Sequence, residues 1–213
     1  MSKMDSMQKA FRYADEHFDS SIEDLKAVCS YRSVASDSEG IQKTSDYIMQ
    51  KLQSLGLNPE KYPVADGNPV LYGHKSGKSD HTIMFYNHYD VMPEGALERW
   101  VSPPFAPEVR DGRLWARGVS DNKGGLFCRL HAIEAILAAN GELPMNVKIF
   151  NEGDEECHSP SLKKFIAADV ERFRKMIDAD AIIWENSRND ECNRPWASFG
   201  VGGSFGIELS VKS

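Results

Sequence analysis

Cysteine is scarce in this chain and poorly placed for cross-linking: Cys29, Cys128, Cys157 and Cys192 are four residues in 213, with no Cys-x-x-Cys pair. That spacing argues against a disulfide framework and against a thiolate zinc site. The four read as mostly buried thiols, with Cys157 set apart because it directly follows Glu155-Glu156. Long apolar runs are missing too. No stretch approaches 18 uninterrupted apolar residues, and Met1-Ser2-Lys3-Met4-Asp5 has no apolar signal-peptide core, so the expectation is a cytoplasmic chain with no membrane partner. Positive charge is short as well. Lys and Arg number 25 against 32 Asp and Glu, and the net charge of -7 removes the electrostatic reason to expect nucleic acid or an anionic membrane. Nor is there a His-Glu-x-x-His, which disfavours metallopeptidases built on that helical motif.

What is present suffices for a full core without staples: a chain of this length buries roughly 70% of its unfolded surface. Phe11, Ala14, Phe18, Ile22, Leu25 and Val28 recur at helical spacing, and Ile41, Ile48, Leu52 and Leu55 mark a second helix ending at Gly56. From about residue 60 the pattern changes to short apolar runs at residues 69–72, 83–86, 147–150 and 181–184, which predict strands. Helical segments are predicted between them, from Gly124 to Ala139 and from Ser161 to Met176. Strands alternating with helices predict an α/β fold with a mixed, largely parallel sheet flanked by helices. The Pro-, Gly- and Trp-rich stretch 92–117 predicts a long ordered excursion, and such loops are usually functional.

Five acidic-run residues, Glu152-Gly153-Asp154-Glu155-Glu156, follow the third apolar run after Asn151. Adjacent carboxylates repel, so a positive partner or full solvation has to hold them there. His88-Tyr89-Asp90 follows the second run and Glu185 the fourth, and in open α/β sheets ligands collect beyond the carboxyl ends of strands. Taken singly, each piece has an ordinary reading: His-x-Asp is a surface pair, Glu-Glu a solvated face, and Asp121-Asn122 beside glycines a turn and helix cap. Taken together, they read as a metal site. Imidazole nitrogen and carboxylate oxygen suit zinc, and a pair of such ions needs a bridging carboxylate, for which Asp121 is placed just before a helix. In this reading His88, Asp121, Glu156 and Glu185 are ligands, Asp90 orients His88, and Glu155 is the general base, pointing to the opposite side from Glu156. Glu152 and Asp154 are read as structural.

The motifs Asn87-His88-Tyr89-Asp90-Val91-Met92-Pro93, Trp100-Val101-Ser102-Pro103-Pro104-Phe105, Asp111 to Gly124 and Glu152 to Glu156 resemble the dinuclear-zinc family of aminoacylase, carnosinase-type dipeptidases, acetylornithine deacetylase and succinyl-diaminopimelate desuccinylase. The resemblance implies a zinc-peptidase-like catalytic domain holding two Zn2+, with Co2+ or Mn2+ as alternatives, that hydrolyses an amide bond in a dipeptide or N-acyl amino acid through a metal-activated water. It implies metal ligation by His88, Asp121, Glu156 and Glu185, and catalytic roles for Asp90 and Glu155. The chain departs from the family in carrying Asn122 where many members have a second aspartate and Cys157-His158 where a small pair is usual. His158 reads as a surface histidine or a stray ligand.

The resemblance also implies an interrupting lid and dimerisation domain, with homodimers of the full-length form, and a final histidine for the second metal. Here residues 1–200 match the first part of the catalytic domain, and residues 201–213, alternating Phe205, Ile207, Leu209 and Val211, match a first lid strand. No histidine occurs after His158. Two expectations result: a metal-dependent amidohydrolase of which this is the N-terminal part, with little peptidase activity in the 213-residue polypeptide, or a catalytically inactive fragment that keeps partial metal binding.

Overall fold

The computed structural model describes residues 3–185, 188–189, 191–192, 194–196, 198 and 210–211. Three helices lead the chain: α1 (Lys3–Glu16), α2 (Phe18–Cys29) and α3 (Ser38–Ser54). The single helical face predicted from Phe11 to Val28 is therefore two helices, because His17 leaves helical geometry (φ -109°, ψ 11°). Only the second half of that face is well covered, since Val28 and Cys29 are fully buried while Phe11 and Phe18 are exposed. The Asp37 carboxylate caps α3 by accepting from Gly40 N at 3.0 Å, and Gly56 follows that helix at φ +64°.

The strands β1 (Glu60–Tyr62), β2 (Val70–Lys75) and β3 (Ser79–His88) come next, then a hairpin, β4 (Glu108–Arg110) and β5 (Arg113–Trp115), inside the predicted excursion. Its two-residue turn is Asp111-Gly112, with φ of +51° and +70°, the positive pair that a tight hairpin demands. Helix α4 (Gly124–Asn140), strand β6 (Met145–Glu152), helices α5 (Pro160–Ala168) and α6 (Val170–Ile177) and strand β7 (Ala181–Ile183) complete the main body, followed by the short pair β8 (Arg188–Asn189) and β9 (Pro195–Trp196). The helix predicted over 161–176 breaks at Asp169, whose extended backbone lets its carboxylate accept from Arg172 N at 2.9 Å and start α6 afresh.

The five-stranded sheet runs β1-β2-β6-β3-β7. Strand β2 is antiparallel to both β1 and β6, whereas β6, β3 and β7 are parallel, so the expected mixed α/β sheet is parallel in its site-bearing half. Alternation along the strands sends side chains to two cores. Leu71, Val147 and Ile149 join Ile48, Leu52, Leu126, Phe127 and Leu130 from α3 and α4 on one face. Val70, Tyr72, Met84, Tyr86 and Phe150 meet Phe165 and Met176 from α5 and α6 on the other. The sheet is thus covered on both faces, as its parallel strands require. Among the described residues no helix is long and apolar enough to cross a membrane.

Two expectations need correction or fall outside this description. Of the cysteines, only Cys29 is buried; Cys128, Cys157 and Cys192 are exposed, because they fall in an open groove between α4 and the α1–α2 helices, in the turn after β6 and between β8 and β9. The predicted lid strand at 201–213 lies outside the described residues apart from Ser210 and Val211.

Candidate metal centre

The carboxyl ends of β6, β3 and β7 lie side by side, and each carries acidic or imidazole chemistry. His88 is the last residue of β3, with Asp90 two positions on. Glu155 and Glu156 sit in a tight turn, Glu155–Cys157, three residues beyond β6, and Glu185 lies two beyond β7. Asp121 comes from the irregular turn Val119–Lys123 that precedes α4. Gly118 launches this turn at φ +84°, and a Cβ there would lie 2.7 Å from Val91 Cγ1, so glycine is demanded twice over. Asp121 itself is extended (φ -134°, ψ 99°), and the Asp121–Asn122 peptide bond is cis.

All six predicted residues come together. His88 is fully buried, and its Nε2 faces Asp121 Oδ1 at 2.9 Å, Glu185 Oε2 at 3.2 Å and Glu155 Oε2 at 3.9 Å. Its Nδ1 faces Asp90 on the other side, 3.3 Å from Oδ1 and 3.1 Å from the backbone carbonyl. Asp90 is also fully buried, and its two carboxylate oxygens accept from the backbone N–H groups of Glu155 and Glu156, each at 3.1 Å. One aspartate therefore fixes both the ring and the acidic turn. Two overlapping donor sets result, His88 with Glu155 and Glu185, and His88 with Asp121 and Glu156, the ligand atoms of each lying within 4.8 Å of one another. The two glutamates do not alternate across an extended strand as expected; they share one turn, and each joins a different set.

Charge decides what such a cluster needs. Two carboxylates 4.8 Å apart repel by about 3.5 kcal/mol at an effective dielectric near 20. Among the described residues, His88 is the cation within ion-pair distance of Asp90, Asp121 and Glu155, with Arg117 adding a pull on Asp121 from further off. Burial disfavours its charged ring, yet the Asp121 and Asp90 carboxylates prevail and push His88 up to about 11. Burial pushes Glu185 up to about 7 against the pull of His88, and it raises Glu156 too, with Asp121 adding to the effect. Asp121 is lowered, chiefly by its hydrogen bond with His88. One imidazolium faces five carboxylates, so the cluster is short of positive charge. Imidazole and carboxylate are the donors that zinc and related divalent ions take, and the Asp121 side chain is 56% exposed, leaving the cluster open to solvent on that side. The donor set fits divalent cations.

The profile of peptidase family M20/M25/M40 matches residues 84–197, more than half of the chain and every residue of the cluster. The chain belongs to this family. Human Beta-Ala-His dipeptidase is 27% identical over a 230-position alignment that covers 97% of this chain and 43% of that protein. Succinyl-diaminopimelate desuccinylase of Dechloromonas aromatica is 34% identical over 138 positions, 65% of this chain and 35% of its own length. A solved M20 family metallo-carboxypeptidase from Sulfolobus solfataricus superposes with a TM-score of 0.73 at 33% identity, over 82% of this chain and 39% of that one. The chain thus spans less than half the length of these M20 relatives.

Beside the cluster stand the two acidic residues read as structural, Glu152 and Asp154, and two, Lys123 and Arg129, whose part sequence reasoning did not find. Glu152 is the last residue of β6, fully buried, and one of its oxygens accepts from the Tyr86 and Ser159 hydroxyls; burial pushes this carboxyl up to about 7. Asp154 accepts from Ser161 N and Oγ, and Glu152 and Asp154 together shape the turn that carries Glu155 and Glu156. Lys123, also fully buried, donates to Val28 O and Tyr31 O at the end of α2 and ties the Asp121 turn to that helix. Arg129 on α4 reaches the ends of β3 and β7. One signal for the last was available: an arginine within an otherwise apolar turn of helix, Gly125-Leu126-Phe127-Cys128-Arg129-Leu130.

Proposed function

We propose that this chain carries the metal-binding and proton-accepting side of an amidohydrolase site that cleaves an amide bond in a dipeptide or N-acyl amino acid. The observation that carries this reading is a fully buried imidazole whose Nε2 meets carboxylates from three separate elements while Nδ1 is held by a fourth. The printed names of the relatives, a Beta-Ala-His dipeptidase and a succinyl-diaminopimelate desuccinylase, support a small amide substrate.

His88 through Nε2, Asp121 and Glu185 would hold one cation, and Asp121 with Glu156 the other, Asp121 being shared. Two divalent cations, zinc in this reading with cobalt or manganese as substitutes, would supply Lewis acidity and bring the pKa of a water toward about 7. Glu155 takes the proton from the attacking water and delivers it to the departing amine. Its carboxylate approaches the same Nε2 that Asp121 and Glu185 approach, so geometry admits it as a ligand too; its assignment as base rests on the resemblance. Asp90 holds Nδ1, which keeps Nε2 directed at the carboxylates.

The test is hydrolysis of a panel of dipeptides and N-acyl amino acids with added Zn2+, Co2+ or Mn2+, for the wild-type chain and Glu155→Gln. Support is turnover that a chelator abolishes and that Glu155→Gln lowers by about 100- to 10,000-fold while cation binding persists, the range for loss of a general base. Turnover indifferent to the chelator, or Glu155→Gln turnover equal to that of the wild type, counts against the reading.

A further inference from the structure

The β3–β7 ladder has three rungs, the last pairing Phe85 with Ile183, so it ends before Glu185 is reached. Beyond the last rung the two chain segments are held from α4. The Arg129 guanidinium donates through Nη1 to Tyr86 O at 3.0 Å and Asn87 Oδ1 at 2.7 Å, and through Nη2 to Trp184 O at 2.7 Å and Glu185 O at 3.0 Å. One planar fork bridges the two strand ends where backbone pairing stops. Glu185 O accepts a second hydrogen bond, from Asn122 Nδ2 at 2.8 Å, and Asn122 Oδ1 in turn accepts from Asn87 Nδ2. Asn87 and Asn122 are both buried. Gly125 keeps the junction open: a Cβ there would lie 3.1 Å from Asn122 Nδ2 and 3.2 Å from Glu185 O.

We propose that Arg129 and Asn122 are positioning residues, a clamp on the Glu185 backbone that holds its carboxylate 3.2 Å from His88 Nε2 and so sets the affinity of the cation position these two residues serve. The inference rests on the reading of His88 and Glu185 as ligands. The chemistry selects these residue types. A lysine has three donors at one point and cannot span four acceptors on two strands, whereas the guanidinium fork can. A carboxamide donates to Glu185 O and accepts from Asn87 at once, which an ionised aspartate cannot do. Because Asn122 follows Asp121 directly, the clamp also couples Glu185 to the other carboxylate nearest His88.

The test is Co2+ titration, followed by visible absorption and calorimetry, of the wild-type chain, Arg129→Lys, Asn122→Leu, Glu185→Gln and the two doubles with Glu185→Gln, each checked for folding by far-UV circular dichroism. Removing the partners that orient a metal ligand costs about 10- to 100-fold in affinity. That loss is expected for each clamp variant, with shifted visible bands, and it should largely vanish once Glu185 is already Gln, because the effect passes through that residue. Folded clamp variants with wild-type affinity and spectrum overturn the proposal, as does an undiminished loss in the Glu185→Gln background. If Arg129→Lys does not fold, Asn122→Leu, which leaves the guanidinium in place, makes the same decision. A wild-type chain that binds no Co2+ overturns the metal reading itself, an outcome distinct from a binding wild type with silent clamp variants.

Discussion

Replacing Asp90 with Asn keeps the size of a fully buried side chain and removes only its charge and one acceptor. The carboxylate now accepts from Glu155 N and Glu156 N, each at 3.1 Å, and faces His88 Nδ1 at 3.3 Å. An amide keeps one oxygen, with the strength of a neutral acceptor, and turns an NH2 toward the second backbone N–H. A hydrogen bond to a charged group is worth about 1.5–3 kcal/mol and a buried unpaired donor costs about 1–3 kcal/mol, so Asp90→Asn should destabilise the fold by about 3–5 kcal/mol. At about 2–4 °C per kcal/mol for a chain of this size, the melting temperature should fall by about 6–20 °C. Relief of charge repulsion opposes this loss, and added cation removes that relief, so melts are to be recorded by circular dichroism with chelator and with Co2+. The drop should be larger with Co2+. An Asp111→Asn control, in the exposed β4–β5 turn, should change stability by no more than about 0.5 kcal/mol. If Asp90→Asn melts within about 2 °C of wild type in both conditions, the claim that one aspartate fixes both the histidine and the acidic turn is wrong.

Away from the cluster, burial would raise the Asp24 carboxyl, but hydrogen bonds from His131, Tyr47 and Lys51 overcome burial and hold it well below its ordinary 3.8. A lowered folded-state pKa stabilises above the unfolded value and is lost as pH falls toward the folded one. Urea unfolding should therefore show Asp24→Asn less stable than wild type at pH 6, with the gap closing below about pH 4; a gap independent of pH would refute the assignment. Phe127 is fully buried on α4, in contact range of Tyr47 on α3 and of His131 (ring centroids at 6.0 and 5.9 Å). Phe127→Ala should cost about 3–5 kcal/mol in denaturant melts, and a loss under about 1 kcal/mol would mean that this core is not packed as described.

Much of the framework is legible in the sequence because strand and helix periods are local. The runs at 83–86 and 147–150 lie inside β3 and β6, and the residues just beyond them, His88 and the Glu155-Glu156 pair, converge because parallel strands end on one side. What was not legible is tertiary. The break at Asp169 depends on a side-chain cap competing with a continuous helical pattern. The run at 181–184 looks like a buried strand, yet Ile182 is 45% and Ile183 43% exposed because β7 is the last strand of the sheet. Arg129 carries no motif of its own; its partners are backbone carbonyls on two strands distant in sequence, which no spacing rule brings together. Glu152 is read as structural from its place in the acidic run, but that it and Lys123 are completely buried depends on the fold.

The central claim is that the carboxylates gathered around His88 form a cation site. The most direct measurement is equilibrium binding of Zn2+ to the chelator-stripped chain by calorimetry, with metal content confirmed by elemental analysis, for wild type and His88→Ala. The account predicts saturable binding by the wild type and a loss of at least about 100-fold in affinity for the folded variant, the scale of removing a metal ligand outright rather than one that orients it. No saturable binding by the wild type, or equal binding by His88→Ala, would contradict it.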